Sequence, residues 1–158
     1  MKEGNFMYED ILKLDKQLCF RLYQVSRNMT RVYQPFLDKF DLTYPQYIVM
    51  LVLFEHKVLD FKKLSELVDL TTGTLTPIIQ KLEQMGYVQK TTNPTDKRRL
   101  NVILTEKGQE LNTEVIEVPL GVAGKLPITE EMYSVLVKEL DSLSEMLKNA
   151  SVIKKENE

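Results

Sequence analysis

Cys19 is the only thiol in a chain of 158 residues, and four phenols follow it closely: Tyr23, Tyr33, Tyr44 and Tyr47. A thiolate is a nucleophile and a reductant, and a phenol donating a hydrogen bond to sulfur favours that form. Spacing decides which phenols can reach it. Tyr23 lies one helical turn after Cys19 and shares its face. Tyr33 lies fourteen residues on. In one straight helix it would sit about 40° off the same face but about 21 Å further along the axis. The two side chains then meet only if two copies of the helix run antiparallel across a two-fold axis. The same logic makes Tyr44, beyond the helix break, a candidate across that interface. The plain alternative is a small buried hydrophobe among interface aromatics with satisfied hydroxyls. Composition alone favours that alternative.

A second set of residues carries charge rather than redox chemistry. "TNPTDKRR" reads as an exposed hairpin tip that gathers Asp96, Lys97, Arg98 and Arg99. From Lys62 to Lys107 there are eight basic and five acidic residues, a local balance of +3 against −2 for the whole chain. Positive charge on a projecting loop suits phosphate, and an arginine there can enter a narrow minor groove. Asp96 is the wrong sign for such a contact, but a charge-assisted bond would let it pin an arginine. Upstream, "TTGTLTPIIQKLEQMG" presents Thr72, Thr74, Thr76, Pro77, Gln80, Lys81 and Gln84 on one face. Hydroxyl, amide and ammonium groups of these types contact phosphates and base edges. A polar helix face or a charged turn is otherwise simply solvated.

The elements that must position these residues follow from periodicity. Ile11, Leu14, Leu18, Leu22 and Val25 predict a first helix from about Glu9 into the thirties, kinked or ended at Pro35. "TYPQ" predicts a capping box from Thr43 to Gln46, opening an apolar core helix from Tyr44 to about Glu55. "LDFKKLSELVDL" predicts a short helix with Phe61, Leu64 and Leu67 inward. The next helix turns Leu75, Ile79, Leu82 and Met85 inward and stops at Gly86. "YVQKT" and "LNVILT" predict a two-stranded hairpin, with Leu100, Val102 and Leu104 on one side. Thr105 caps a further helix, "PLGVAGKLP" breaks the pattern, and a last helix from about Thr129 carries Tyr133, Leu136, Leu140, Leu143 and Leu147 as a stripe.

Helices followed by a hairpin make a mainly α fold with a small β wing, a winged helix-turn-helix with long terminal helices. The expected organisation is one domain over residues 1–158. Residues of about 9–40 and 105–153 serve as dimerisation helices and about 44–104 as the winged part. The apolar stripes of the terminal helices exceed what a small winged unit can cover, so a second copy is the expected partner. Charged residues make up 28% and hydrophobic ones 43%, ordinary for a globular protein. One cysteine excludes an intramolecular disulfide, and the charged N-terminus does not read as a signal peptide; both suggest the cytoplasm. A single histidine, His56, argues against a zinc site or a Ser-His-Asp triad. No cofactor is implied.

With "DKRR" in the wing, "LTEKG" opening the next helix and this order of helices, the chain resembles the MarR family of winged-helix transcription regulators over essentially its whole length. "QLCF", "LTYPQY" and "GTLTP" are similar to the OhrR-like branch, which senses organic hydroperoxides. The resemblance implies a homodimeric repressor on a pseudo-palindromic operator of double-stranded DNA, released when a peroxide oxidises its cysteine. It puts the reactive cysteine at Cys19 and the thiolate-bonding phenols at Tyr33 and Tyr44, with Tyr23 nearby. It puts the minor-groove arginine at Arg98, with Asp96 as its partner. Some relatives in that branch carry a second, resolving cysteine that this chain lacks. That departure points to a low-molecular-weight thiol completing the switch as a mixed disulfide.

Three other functions remain open at this level. A repressor switched by a small aromatic or phenolic ligand would still respond after Cys19→Ser. A thiol peroxidase would turn over peroxide steadily. A purely structural dimer would tolerate Arg98→Ala and Lys81→Ala.

Overall fold

The computed structural model describes residues 11–152. Contacts divide the described chain into two compact units, with the division after Val122.

In the first unit a 3-10 turn, Leu14–Lys16, precedes helix α1, Leu18–Leu37. Regular helix therefore begins later than the apolar spacing predicts; Glu9 lies outside the described residues. Pro35 does not break α1, which runs two residues further and continues into a 3-10 turn, Asp38–Phe40. The chain then reverses at Asp41, a left-handed residue with φ 58°. Helix α2, Tyr44–His56, opens as expected: the Thr43 N–H donates to Gln46 Oε1 at 2.8 Å, and Pro45 occupies the first turn, where no amide proton is needed. Tyr47, Val49, Met50 and Leu53 of α2 are buried.

A short strand, β1 (Val58–Asp60), then leads into helix α3 (Phe61–Leu67) and helix α4 (Thr72–Gln84). Strands β2 (Val88–Thr92) and β3 (Leu100–Leu104) form the expected hairpin, with Val88 opposite Leu104 and Thr92 opposite Leu100. The sheet has three strands, not two, in the order β1-β3-β2. Leu67 is another departure: it is exposed, and Val68 and Leu70 pack against the core beyond it. The inner face of α4 holds, since Leu75, Ile79 and Leu82 are fully buried and Met85 is partly so.

Helix α5, Glu106–Glu114, is capped by Thr105, whose side chain accepts from the Gly108 N–H. Helix α6, Glu117–Lys125, occupies the segment "EVPLGVAGK", so "PLGVAGKLP" is largely helical rather than a break. Pro119 is tolerated because it falls in the first turn. Leu111, Val115 and Val118 join one core with Leu37, Leu53 and Leu64. Burying each such side chain contributes roughly 1.5–3 kcal/mol, enough to fix the helices around the sheet.

The second unit is dominated by helix α7, Glu130–Val152. Thr129 caps it by accepting from the Met132 N–H at 3.2 Å. Its stripe is largely bare: Tyr133 is 62% exposed, Leu140 53% and Leu147 57%, while Leu143 is half-buried. Among the described residues no helix is long and apolar enough to cross a membrane.

Candidate functional site

Cys19 is the second residue of α1 and is exposed, so the chain does not use it as core filling. Other apolar residues of this helix are also bare, Leu18 at 58% and Val25 at 63%. Tyr23 shares this face but its phenol is engaged elsewhere: Arg27 Nη1 donates to its hydroxyl at 3.0 Å, and the guanidinium lies 5.4 Å from the ring centre.

Tyr33 and Tyr44 are brought together, though not with Cys19. Tyr33 sits in the penultimate turn of α1 and Tyr44 in the first residue of α2. Their rings meet edge to face with centres 5.0 Å apart. Tyr47 completes the cluster at 6.0 Å from Tyr33 and 6.3 Å from Tyr44. Tyr47 carried no expected role; its place one turn after Tyr44 was the available signal. Burial pushes the Tyr44 and Tyr47 phenols above their ordinary range, with Tyr33 adding to the shift. Both therefore stay protonated near neutral pH and keep a hydroxyl proton available to donate. Because α1 is continuous from Leu18 to Leu37, its rise keeps Cys19 and Tyr33 of one chain about 21 Å apart.

The charged end is complete within one chain. All seven outward residues of α4 are exposed: Thr72, Thr74, Thr76, Pro77, Gln80, Lys81 and Gln84. The helix is started by Thr71, whose side chain accepts from the Thr74 N–H. The Thr76 hydroxyl donates back to the Thr72 carbonyl at 2.7 Å, which leaves its oxygen free to accept. Glu83 holds Lys90 of β2 at 2.9 Å and accepts from its backbone N–H, so α4 is tied to the hairpin. That pairing draws the Glu83 carboxyl below its ordinary range.

At the hairpin tip, Asn93 Oδ1 accepts from the Thr95 N–H at 2.9 Å and shapes the turn. Asp96 Oδ1 accepts from the Arg98 N–H at 3.0 Å and lies 3.8 Å from the Arg98 guanidinium. Arg98 projects, with 95% of its side chain exposed; Lys97 is also exposed. Arg99 behaves differently. Its Nε donates to Asp60 Oδ2 at 2.9 Å, while Asp60 Oδ1 caps α3 through the Lys62 and Lys63 N–H groups. The bond from Arg99, first, and the cap hold the Asp60 carboxyl below its usual range. Asp60 was not expected to matter; its link to Arg99 spans 39 residues and leaves no local signal. A cleft of about 630 Å³ lies between α4, the hairpin and α3, lined by Lys62, Lys90, Arg98 and Arg99, by Asp60, and by Phe61, Ile79 and Leu100.

A helix pair whose second member presents a polar face beside a basic hairpin defines a winged helix-turn-helix protein. Residues 31–115 match the family described as transcriptional regulator SarA/Rot. The chain is 40% identical over 138 residues to the organic hydroperoxide resistance transcriptional regulator of Bacillus subtilis, covering 87% of this chain and 94% of that one. It is 37% identical over 136 residues to the HTH-type transcriptional regulator SarZ of Staphylococcus epidermidis, covering 86% and 92%. AbfR of Staphylococcus epidermidis, reduced and bound to DNA, matches with a TM-score of 0.79 at 33% identity, covering 91% of this chain and 99% of that one. The disulfide-formed AbfR matches less well, with a TM-score of 0.60 at 34% identity, covering 90% and 94%. The chain belongs to the SarA/Rot family of MarR-type winged-helix transcriptional regulators, on the branch of the organic hydroperoxide regulators.

Proposed function

We propose that the protein is a homodimeric, cytoplasmic repressor that binds a pseudo-palindromic operator and lets go when an organic hydroperoxide oxidises Cys19. One observation carries this reading. Cys19 lies exposed at one end of an unbroken helix and the Tyr33–Tyr44 pair lies at the other. A second copy, antiparallel to the first, would bring each thiol to its partner's phenols. In that arrangement residues of about 9–40 and 105–153 include the dimerisation helices, about 44–104 make the DNA-binding part, and all belong to one regulator domain. The better match to reduced, DNA-bound AbfR than to its disulfide form supports assigning this conformation to the binding state.

The chemistry balances with two reactants. The Cys19 thiolate attacks the outer oxygen of the hydroperoxide and the O–O bond breaks. An alkoxide leaves and takes a proton to become an alcohol, while sulfur is oxidised to sulfenic acid. A low-molecular-weight thiol then displaces hydroxide, which leaves as water, and forms a mixed disulfide. The protein is consumed once per event and is not an enzyme. A bulky adduct on Cys19 would displace Tyr33 and Tyr44 and change the spacing of the two α4 helices. On DNA, Thr72, Thr74, Thr76, Pro77, Gln80, Lys81 and Gln84 face base edges and phosphates. Arg98, braced by Asp96, enters the minor groove, and Lys97 meets phosphate.

The test is a gel-shift titration with wild type and Cys19→Ser, each with and without an organic hydroperoxide plus a small thiol. Both should bind DNA, and only wild type should release it. The mixed apolar and cationic lining of the 630 Å³ cleft favours one competing reading, a switch by a small aromatic or phenolic ligand with Cys19 a bystander. Release of Cys19→Ser by such a ligand would establish it.

A further inference from the structure

Helix α4 ends against α5 in an unusually complete joint. The chain leaving a helix terminus exposes carbonyls that the helix itself does not satisfy, and here three successive ones, at and just beyond the cap residue Met85, are met by a single short segment. Lys107 Nζ donates to the Met85 carbonyl at 2.8 Å. The Thr105 hydroxyl donates toward the Gly86 carbonyl at 2.7 Å and the Tyr87 carbonyl at 3.0 Å. The Thr105 N–H donates to that same Tyr87 carbonyl at 3.0 Å. The Lys107 ammonium also lies 4.9 Å from the centre of the Tyr87 ring. Gly108 permits the approach, because a Cβ there would collide with the Tyr87 carbonyl oxygen. The motif "LTEKG" is thus the socket that receives the end of α4.

The socket is also connected to the helix that bears Cys19. From α5 the chain enters α6, where Gly121 lies against the Phe36 ring of α1 so closely that a Cβ would clash. Lys39, just after α1, pairs with Glu117 of α6 at 2.9 Å. Two close glycine contacts, the Lys107 bond and the Lys39–Glu117 pair therefore join α1 to α4 through α5 and α6.

We propose that Lys107 is a positioning residue for operator recognition: by holding the end of α4 on α5 it fixes the angle of α4, and so the half-site spacing a dimer accepts. The inference rests on the DNA-binding reading. Half-site spacing is a geometric property of the dimer, so a looser α4 widens the range of spacings without adding a contact.

The experiment uses operators selected by the wild-type protein from a random duplex pool, remade with the spacer one base pair shorter and one longer. Wild type should lose about tenfold in affinity on either altered spacer, the size of a single recognition error. Lys107→Met keeps the stem beside Tyr87 but removes the donor, and should bind the three operators within about threefold of one another. Lys107→Arg, which can still donate to the Met85 carbonyl, should restore the discrimination. Lys107→Gln, run alongside, keeps a neutral donor of shorter reach and should fall between. Undiminished discrimination by Lys107→Met would overturn the proposal. So would an equal loss on all three operators with a salt slope reduced by about one, the mark of a phosphate contact. If wild type selects no operator, the DNA-binding reading itself fails, and the positioning role with it.

Discussion

The DNA-facing end of the molecule and its cysteine end are built to different degrees of completion. Around α4 and the hairpin, one chain supplies everything: a buried inner face, a cap, and the Glu83–Lys90 and Asp60–Arg99 pairs. Around Cys19, under the mechanism proposed above, one chain supplies only half. The thiol, Leu18 and Val25 are bare, and the phenols that suit the thiol lie at the wrong end of the same helix. A recognition surface that must keep its shape is best held by its own core. A sensor that must report on the relation between two copies is best divided between them.

The contrast can be broken first by stability. Leu75→Ala empties a fully buried site and should cost about 2–5 kcal/mol in urea unfolding, at any protein concentration. Leu140→Ala on α7 should cost less, by an amount that changes with protein concentration, because a partner copy stabilises only the associated state. An equal, concentration-independent cost at Leu140 would make the two ends alike.

A smaller effect sharpens the picture within the hairpin. Arg98→Ala should weaken operator binding by roughly 1–3 kcal/mol at fixed salt, measured by gel shift. Arg99→Ala should weaken it less, since the Arg99 guanidinium is already held by Asp60. The reverse ranking would hand the groove contact to Arg99. The smallest effect concerns the divided sensor. Tyr33→Phe should leave the fold intact and slow oxidation of Cys19 to the sulfenic acid by about tenfold, the order of one hydrogen bond to a charged group. A wild-type rate would take that phenol out of the sensor.

Legibility followed the range of the interaction. Thr43 with Gln46, Thr71 with Thr74, and Thr105 with Gly108 are pairs three residues apart, and each is visible as a spacing. The inner face of α4 was equally plain, because Leu75, Ile79 and Leu82 repeat with the helical turn. Strand β1 was not: three residues are too few to show alternation, and Val58 pairs with Ile103 far along the chain. Helix α6 was hidden by Pro119, Gly121 and Gly124, which look like breakers. The first is harmless in an opening turn, and the second is what lets Phe36 pack. Leu67 looked inward by period alone, but α3 ends there and Val68 and Leu70 take over the packing.

By itself the sequence determined most of the helices, the threonine caps, the polar face of α4, the charged hairpin tip and the single thiol. These depend on neighbours within a turn or two, where spacing and side-chain type suffice. Only the tertiary structure decided that Asp60 holds Arg99, that Tyr47 joins Tyr33 and Tyr44, that "LTEKG" seats the end of α4, and that α1 passes Pro35 unbroken. Those contacts exist only once every element has packed around the common core. Spacing already puts Cys19 and Tyr33 about 21 Å apart in a straight helix; that α1 is unbroken between them and leaves the thiol exposed is decided by the packed fold.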